Sequence, residues 1–166
     1  MGSIPTVSIE YLLASGIRAV GCSGAVSEAN VDLHRRSVEA FNTRDVENFI
    51  PFCHQEIELH SAVTAPGGAT YHGHDGVRQW YSDLADGWGG DLKIEPEVYF
   101  DLGDETVTYH VLHGRGHQSG ADVAMPAAHV CRWRDGLMVY FRGYSDRDEA
   151  LRELTASGKR LKRIVP

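Results

Sequence analysis

The chain has 166 residues, of which 42% are hydrophobic and 23% are charged, and its formal net charge is −7. This length suits one domain, and the balance of apolar and charged residues excludes a disordered chain and a membrane-embedded helix bundle. Because surfaces that bind phosphate are usually basic, the acidic balance also argues against nucleic acid as a partner.

The first 26 residues are rich in glycine and serine and contain one short apolar patch, residues 9–14. Three interpretations are open: an arm packed on a neighbour, a leader left by an early start codon, or a poorly ordered extension. We favour the last of these. Residues 9–20 do not resemble a secretion signal, because no basic stretch precedes them and Arg18 interrupts them.

Three helices are predicted in the first half of the chain. Apolar residues in segment 27–41 recur at helical spacing, with His34 on the same face, and Ser27 is placed to cap the helix. Asp45 is placed to cap a second, shorter helix. Residues 75–88 carry an apolar stripe that ends at a pair of glycines, which predicts a third helix.

The other elements are mostly strands, indicated by alternation of apolar and polar residues. The predicted strands span residues 56–61, 92–102, 106–117, 122–134 and 137–144. We expect Pro96 to bend the second of these strands. A short helix over residues 146–154 and a frayed basic tail over residues 157–166 complete the chain. The order of elements indicates one α+β domain covering residues 27–156.

Five segments carry a resemblance to a known superfamily. They are EAFNTRD at residues 39–45, YHGHDGV at 71–77, PAAHV at 126–130, RDG at 134–136 and YSD at 144–146. With this order of elements, the chain resembles the SnoaL-like polyketide cyclases and the ketosteroid isomerase-like members of the nuclear transport factor 2-like superfamily. The resemblance implies a cone: a curved, mostly antiparallel sheet wrapped around helices, of the nuclear transport factor 2-like or cystatin-like α+β barrel type. It also implies a deep pocket at the open end and a homodimer formed through the outer sheet face.

Strand alternation predicts which side chains of segment 122–134 face the pocket. The residues that share this face are Met125, Ala127, His129, Cys131 and Trp133. The resemblance places His129 where ketosteroid isomerase keeps its oxyanion-hole aspartic acid. A histidine at that position can donate a hydrogen bond to a carbonyl oxygen or carry a proton near neutral pH. The alternative is a core histidine that is hydrogen-bonded to a neighbour.

A second histidine, His110, shares a strand face with Gly114 and Gly116, and glycines permit the close approach of a helix or a ligand. We therefore predict that His110 points inward and that His110 and His129 are the catalytic residues. The competing interpretation of His110 is a buried histidine satisfied by Thr108 or by the backbone.

Two serines occupy positions that the resemblance assigns to chemistry. Ser61 aligns with the general base of the isomerases and Ser37 with their oxyanion tyrosine, so steroid isomerisation itself is not expected. The predicted substrate-contacting residues are Ser37, Ser61, Tyr71, Trp80, Met125, Trp133 and Phe141. Such a mixture of hydroxyls and aromatic walls suits a small hydrophobic molecule, planar or polycyclic, with a few oxygens.

Neither a metal nor a cofactor is predicted. His60, His72 and His74 form a local patch, but no carboxylate or cysteine accompanies them at ligand spacing, so a solvated surface is expected. Asp122 is a weaker alternative as a proton donor, because it does not share a strand face with His129. The sequence contains no phosphate-binding loop and no dinucleotide fingerprint.

Cys22, Cys53 and Cys131 are odd in number and widely spaced, which is typical of neither a disulfide framework nor a zinc finger. We interpret them as reduced thiols of a cytoplasmic protein.

Two functional hypotheses follow from the residues and the resemblance. The first is a cofactor-free enzyme that moves protons on a hydrophobic carbonyl compound, in an isomerisation, a cyclisation or a dehydration. The second is a non-catalytic ligand-binding or dimerisation module of the same fold. An epoxide hydrolase of the limonene type is disfavoured, because that chemistry needs two inward carboxylates that bracket an arginine.

Overall fold

The computed structural model describes residues 24–156 and 162–164. The helices of this part are α1 (Gly24–Asn42), α2 (Val46–Phe49), α3 (Gly73–Trp88) and α4 (Arg147–Ala156). The strands are β1 (Cys53–Ser61), β2 (Ala69–His72), β3 (Lys93–Asp101), β4 (Glu105–Arg115), β5 (Asp122–Arg134), β6 (Leu137–Tyr144) and β7 (Lys162–Ile164). Single 3₁₀ turns follow α2 and α3.

The strands form one curved, mostly antiparallel sheet in the order β2-β1-β6-β5-β4-β3-β7. Only the β1–β6 pair of this sheet is parallel. Strands β5 and β6 run over the residues that alternation predicts. The α+β class and the sheet of the nuclear transport factor 2-like type are confirmed.

Turn chemistry fixes the hairpins that follow one another along the second half of the chain. In the β5–β6 turn both central residues have positive φ, 53° at Asp135 and 77° at Gly136, as a tight two-residue hairpin requires. The predicted bend at Pro96 is also present, since the β3–β4 register shifts between Pro96 and Val98. Glu97 is the extra residue of this bulge.

Three details differ from the sequence-based expectation. Ser27 is not the N-cap of α1, because the helix already begins at Gly24. Tyr71 and His72 lie in β2, a strand that was not predicted, because four residues are too few for alternation to reveal a strand. Part of the tail that was expected to fray, Lys162–Ile164, pairs with β3. Residues 1–23, with the predicted extension and Cys22, lie outside the described residues.

The sheet separates two apolar clusters. On the concave side, α1 and α3 pack their apolar faces on the sheet through side chains such as Val38, Phe41 and Trp80. On the convex side, α4 packs Ala150 and Leu154 against the other face. His110 and His129 lie on the concave side, under α1 and α3.

Asn42, at the last position of α1, holds that helix against the edge of β3. Its side-chain Nδ2 donates to the Ile94 carbonyl at 2.8 Å, and its Oδ1 accepts from the Ile94 amide at 2.8 Å. The amide side chain therefore pairs with the backbone of Ile94 as a neighbouring strand would, and it fixes the C-terminal end of α1 to β3.

Replacing Asn42 by Ala is expected to lower the free energy of unfolding by about 2 kcal/mol, because both backbone groups of Ile94 lose their partner. The measurement is denaturant unfolding at neutral pH. Asn48→Ala is the matched control, since Asn48 is exposed and its side chain donates to the exposed hydroxyl Thr43 Oγ1. Equal unfolding free energies for the two variants would contradict the role assigned to Asn42.

Candidate active site

Two histidines meet on the concave face of the sheet. In the β4–β5 register His110 lies opposite Ala127 and His129 lies opposite Thr108, so the two histidines are diagonal neighbours on one face. Their ring centroids are 4.1 Å apart. His110 has no solvent exposure and His129 is 8% exposed. The prediction that both rings point inward is confirmed.

Both imidazoles line a small cavity, which we call the inner chamber. Its apolar wall is formed by Phe41, Trp80, Leu84, Leu92, Ile94 and Phe141. The aromatic rings of this wall are in contact: Trp80 lies 5.5 Å from Phe41 and 5.4 Å from Phe141 between centroids. The volume of the chamber is about 30 Å³, which is room for one or two water-sized groups.

Several buried polar atoms of the chamber residues lack a hydrogen-bond partner among the described residues. They are Nδ1 and Nε2 of His110, Nδ1 of His129 and Nε1 of Trp80. Buried polar groups are nearly always hydrogen-bonded, and an unsatisfied one costs free energy. Their concentration around one cavity therefore supplies donors and acceptors that an entering oxygen-bearing group can use.

Burial determines the ionisation of the pair. Desolvation lowers the pKa of His110 to about 4. The nearby backbone of Thr108 partly opposes this lowering, although it does not reach hydrogen-bond geometry with the ring, and the guanidinium of Arg147 lowers the pKa further. The pKa of His129 is lowered well below its ordinary value, first by burial and then by His110 and His34. Both rings are therefore neutral at physiological pH and can each accept one proton.

A third buried histidine, His34 on α1, belongs to a closed polar network. Trp133 Nε1 donates to Thr106 Oγ1 at 2.8 Å, and that hydroxyl lies 2.8 Å from His34 Nδ1. His34 Nε2 lies 3.4 Å from Cys131 Sγ. Burial lowers the pKa of His34 to about 3, so the ring is neutral. Thr106 Oγ1 and Cys131 Sγ thus each lie within hydrogen-bond distance of one ring nitrogen of His34.

This network was not predicted as part of a site, although His34 was placed on the buried face of the first helix. The partners of His34 come from β4 and β5, and no local pattern links them to α1. Because each ring nitrogen of His34 has a partner, this histidine supports the wall behind His129 and offers no free atom to a ligand.

Four of the residues predicted to contact substrate lie next to the histidine pair. Ser61, Trp80 and Phe141 line the inner chamber with His110 and His129. Ser37 lies behind it, on a void of about 10 Å³ that His129 and His34 also border. The hydroxyl of Ser37 donates to the His34 carbonyl at 2.7 Å.

Tyr71, Met125 and Trp133, which were also predicted to contact substrate, do not line the inner chamber. The hydroxyl of Tyr71 donates to Asp83 at 2.7 Å, the indole of Trp133 is engaged with Thr106, and the half-buried Met125 packs against the concave cluster. Strand alternation gives the face of a side chain correctly, but it does not give the depth at which that side chain meets the cone.

A larger polar space, the outer groove, adjoins the chamber. It has a volume of about 420 Å³, and its polar lining includes Thr70, Arg142 and Ser145. The residues shared by both spaces are Ser61, Ala62, Gly143 and Tyr144. Pockets for drug-sized molecules measure about 300–1,000 Å³, so the inner chamber of this structure is too small for the polycyclic ligand that the sequence suggested.

The remaining candidates lie on the surface. Asp122 forms an exposed ion pair with Arg115 at 2.9 Å, away from the histidine pair. His60 contacts Glu58 and Thr70. Among residues 24–156 and 162–164, no three His, Cys, Asp or Glu side chains are grouped as a metal site requires.

Two further features belong to residues 24–156 and 162–164. Cys53 and Cys131 are buried free thiols. In the same part, none of the helices has the length and apolar character that a membrane crossing requires.

Comparison with known proteins agrees with this architecture. A sequence model of the SnoaL-like domain matches residues 34–141. No curated protein sequence matches the chain.

Three solved structures share the fold. A nuclear transport factor 2-like protein of unknown function from Burkholderia pseudomallei is 22% identical with a TM-score of 0.65, over 75% of this chain and 95% of its own. TerC, co-crystallised with polyporic acid, is 21% identical with a TM-score of 0.64, and the match covers 77% of this chain and 98% of TerC. A candidate polyketide cyclase from Xanthomonas campestris is 17% identical with a TM-score of 0.64, and the match covers 78% of this chain and 99% of the cyclase chain.

Proposed function

The chain belongs to the family of SnoaL-like domains, and from that premise we propose that it binds a small carbonyl compound at the inner chamber and moves a proton on it. The reaction class is an isomerisation, a cyclisation or a dehydration through an enolate. The observation that carries this proposal is the pair of buried, neutral imidazoles whose unpartnered nitrogens border one cavity.

The proposed chemistry assigns the two roles that enolate formation needs. An imidazole nitrogen of His129 accepts the α-proton: the C–H bond breaks, an N–H bond forms, and the electron pair moves onto the carbonyl oxygen. The oxygen is held by N–H donors of His110 and of Trp80. The transfer changes no oxidation state, so these side chains account for it without an external oxidant or reductant.

The low pKa of the histidines fits this scheme in a specific way. A base of low pKa removes an α-proton poorly on its own, so the transfer depends on stabilisation of the charge that develops. The enolate oxygen is negative, and its field favours the imidazolium that forms beside it. Both charges arise together inside an apolar chamber, where their attraction is stronger than in water.

The size of the two spaces sets the form of the substrate. Only the small, apolar end that bears the carbonyl group enters the chamber of about 30 Å³, and the rest of the molecule lies in the outer groove. TerC, of the same fold, has been co-crystallised with a small molecule, polyporic acid, which supports the use of this fold as a small-molecule pocket.

The proposal is tested by hydrogen exchange at carbon. A panel of steroid, polyketide and terpenoid ketones is screened by thermal shift, and each binder is then incubated in D₂O with the protein and followed by mass spectrometry. We expect deuterium to enter the α-position of at least one binder. Binding of ketones without any exchange would overturn the enzymatic proposal.

That same outcome would favour the second candidate, a non-catalytic ligand-binding or dimerisation module. One observation supports it: no Asp or Glu is among the described residues that line the chamber, so the usual carboxylate base has no counterpart there. Concentration-dependent mass in solution, measured with the binder and without it, separates ligand binding from dimerisation.

Gly143 offers a direct test of where the ligand enters. A Cβ at this position would lie 3.7 Å from His129 Cδ2 and 3.8 Å from the His60 carbonyl, which are ordinary contact distances. Gly143→Ala is therefore expected to fold normally and to weaken binding of a ketone from the panel about tenfold or more, because the methyl group narrows the chamber.

The measurement is calorimetric titration of the ketone into both proteins. Gly90→Ala is the matched control, since a Cβ at Gly90 meets no atom within 4 Å and binding should stay unchanged. Unchanged affinity in Gly143→Ala would place the ligand elsewhere.

A further inference from the structure

Arg147, the first residue of α4, reaches the strands that carry the histidine pair from the convex side of the sheet. Its Nη2 donates to the backbone carbonyl of His110 at 2.5 Å, and its Nε donates to the carbonyl of Ala127 at 3.2 Å. His110 and Ala127 are opposite each other in the β4–β5 register, and both line the inner chamber. One guanidinium thus joins β4 to β5 at the level of His110.

The guanidinium of Arg147 is itself held from two further sides. Glu97 accepts from Nη2 at 2.8 Å, and the guanidinium lies 5.4 Å from the centroid of the Tyr109 ring. Glu97 is the extra residue of the β3–β4 bulge, and bulges re-aim a side chain at the point where they interrupt a ladder. The bulge places a carboxylate where it fixes the planar fork of Arg147 over the strand pair.

The side chain of His110, in contrast, has no such support of its own. Neither of its ring nitrogens meets a partner among the described residues, so its orientation depends on the packing of its neighbours and on the position of its backbone. Restraining the backbone carbonyl therefore restrains the imidazole on the other face of the strand.

We propose that Arg147 is a positioning residue, which fixes the backbone of His110 and Ala127 from the convex face and thereby keeps the His110 ring against His129 in the chamber. The catalytic role of His110 comes from the proposed function, whereas the position of its ring does not depend on that function. The alternative is that Arg147 merely docks α4 on the sheet.

Nuclear magnetic resonance of the full-length protein with ¹³C-labelled histidine separates these possibilities at pH about 7.5, where both imidazoles are neutral. The readout is the cross-relaxation between ring protons of His110 and His129, which a centroid distance of 4.1 Å makes strong. In Arg147→Met, we expect this signal to fall about twofold or more as the ring populates a second rotamer. Arg152→Met, at an exposed arginine of the same helix, should leave it unchanged.

The outcomes are distinct. A variant that loses stability but keeps the wild-type ring contact would overturn the proposal, since helix docking alone predicts that result. Should Arg147→Met fail to fold, Arg147→Lys decides, because a lysine keeps the charge but cannot span both carbonyls. If ketone exchange is detected, kcat should fall about tenfold in the folded variant with KM unchanged. A weakened ring contact without any enzymatic activity leaves the positioning role intact and rejects only the proposed function.

Discussion

Lowering the pH from about 8 to about 5 is expected to destabilise this fold by about 4 kcal/mol through two buried histidines, His34 and His110. Their pKa values are lowered by burial to about 3 and about 4. In the unfolded chain both take up a proton near pH 6.5, while in the folded protein they remain neutral at pH 5. The unfolded state then binds more protons, so stability falls as the pH falls.

The stability begins to fall at a pH of about 6.5, the pKa of histidine in the unfolded chain, and it keeps falling until the pH is below the pKa of each histidine in the folded protein. His129, whose pKa is lowered in the same direction, adds to it. An ordinary domain has only about 5–15 kcal/mol of stability in total, so acid unfolding well above the pH range of carboxylate titration is expected.

Denaturant unfolding across a pH series measures the effect, because the slope of the unfolding free energy against pH counts the protons taken up. His110→Leu should reduce that slope by about one proton and should be more stable than the wild type at pH about 5, since it also removes two unsatisfied nitrogens. His72→Gln, at an exposed histidine, is the control. A stability that is flat between these pH values would show that the buried rings do not remain neutral.

Removal of the His129 imidazole is expected to reduce α-carbon exchange of a bound ketone by about 10²–10⁴-fold, the usual contribution of a positioned base. His129→Gln keeps a polar side chain that cannot take up the proton, and His129→Ala removes the group altogether. Far-UV circular dichroism and the unfolding midpoint should show a folded protein in both cases, because the ring makes few polar contacts that the fold requires.

His113→Gln is the matched control for this experiment. His113 lies on β4 like His110 but pairs with the exposed Glu95 on the other face of the strand, 2.8 Å away. Exchange at the wild-type rate in the control and in His129→Gln alike would remove His129 from the mechanism. Loss in His129→Gln together with retained ketone affinity would assign the residue to the chemical step rather than to binding.

The long strands made most of the fold predictable. β5 has thirteen residues, and alternation over that length leaves no doubt about which side chains share the face of His129. β2 and β7 could not be predicted, because their four and three residues are too few to show an alternating pattern. Their strand conformation depends on the neighbouring strand with which each one pairs.

The strand faces that carry the candidate site could be predicted from the sequence, but the size of its cavity could not. The inward faces of His110 and His129 follow from local alternation, and so does their approach once β4 and β5 form a hairpin. The volume of the chamber depends on how far Trp80 and Phe141, from distant segments, reach into the cone, and no local pattern encodes that. The same reason hid the contacts of His34, whose partners stand on two strands far along the chain.

The parallel β1–β6 pair has a consequence for how the protein is made. Leu59 and Phe141 face each other across this pair, so the N-terminal and C-terminal halves of the chain must meet before the sheet is complete. Contacts between residues this far apart in the chain form slowly, because a long loop must close first. On the ribosome, β1 is made long before β6, so the edge of β1 that pairs with β6 stays open until most of the sheet has been synthesised, and an open strand edge is a place where a chaperone can bind.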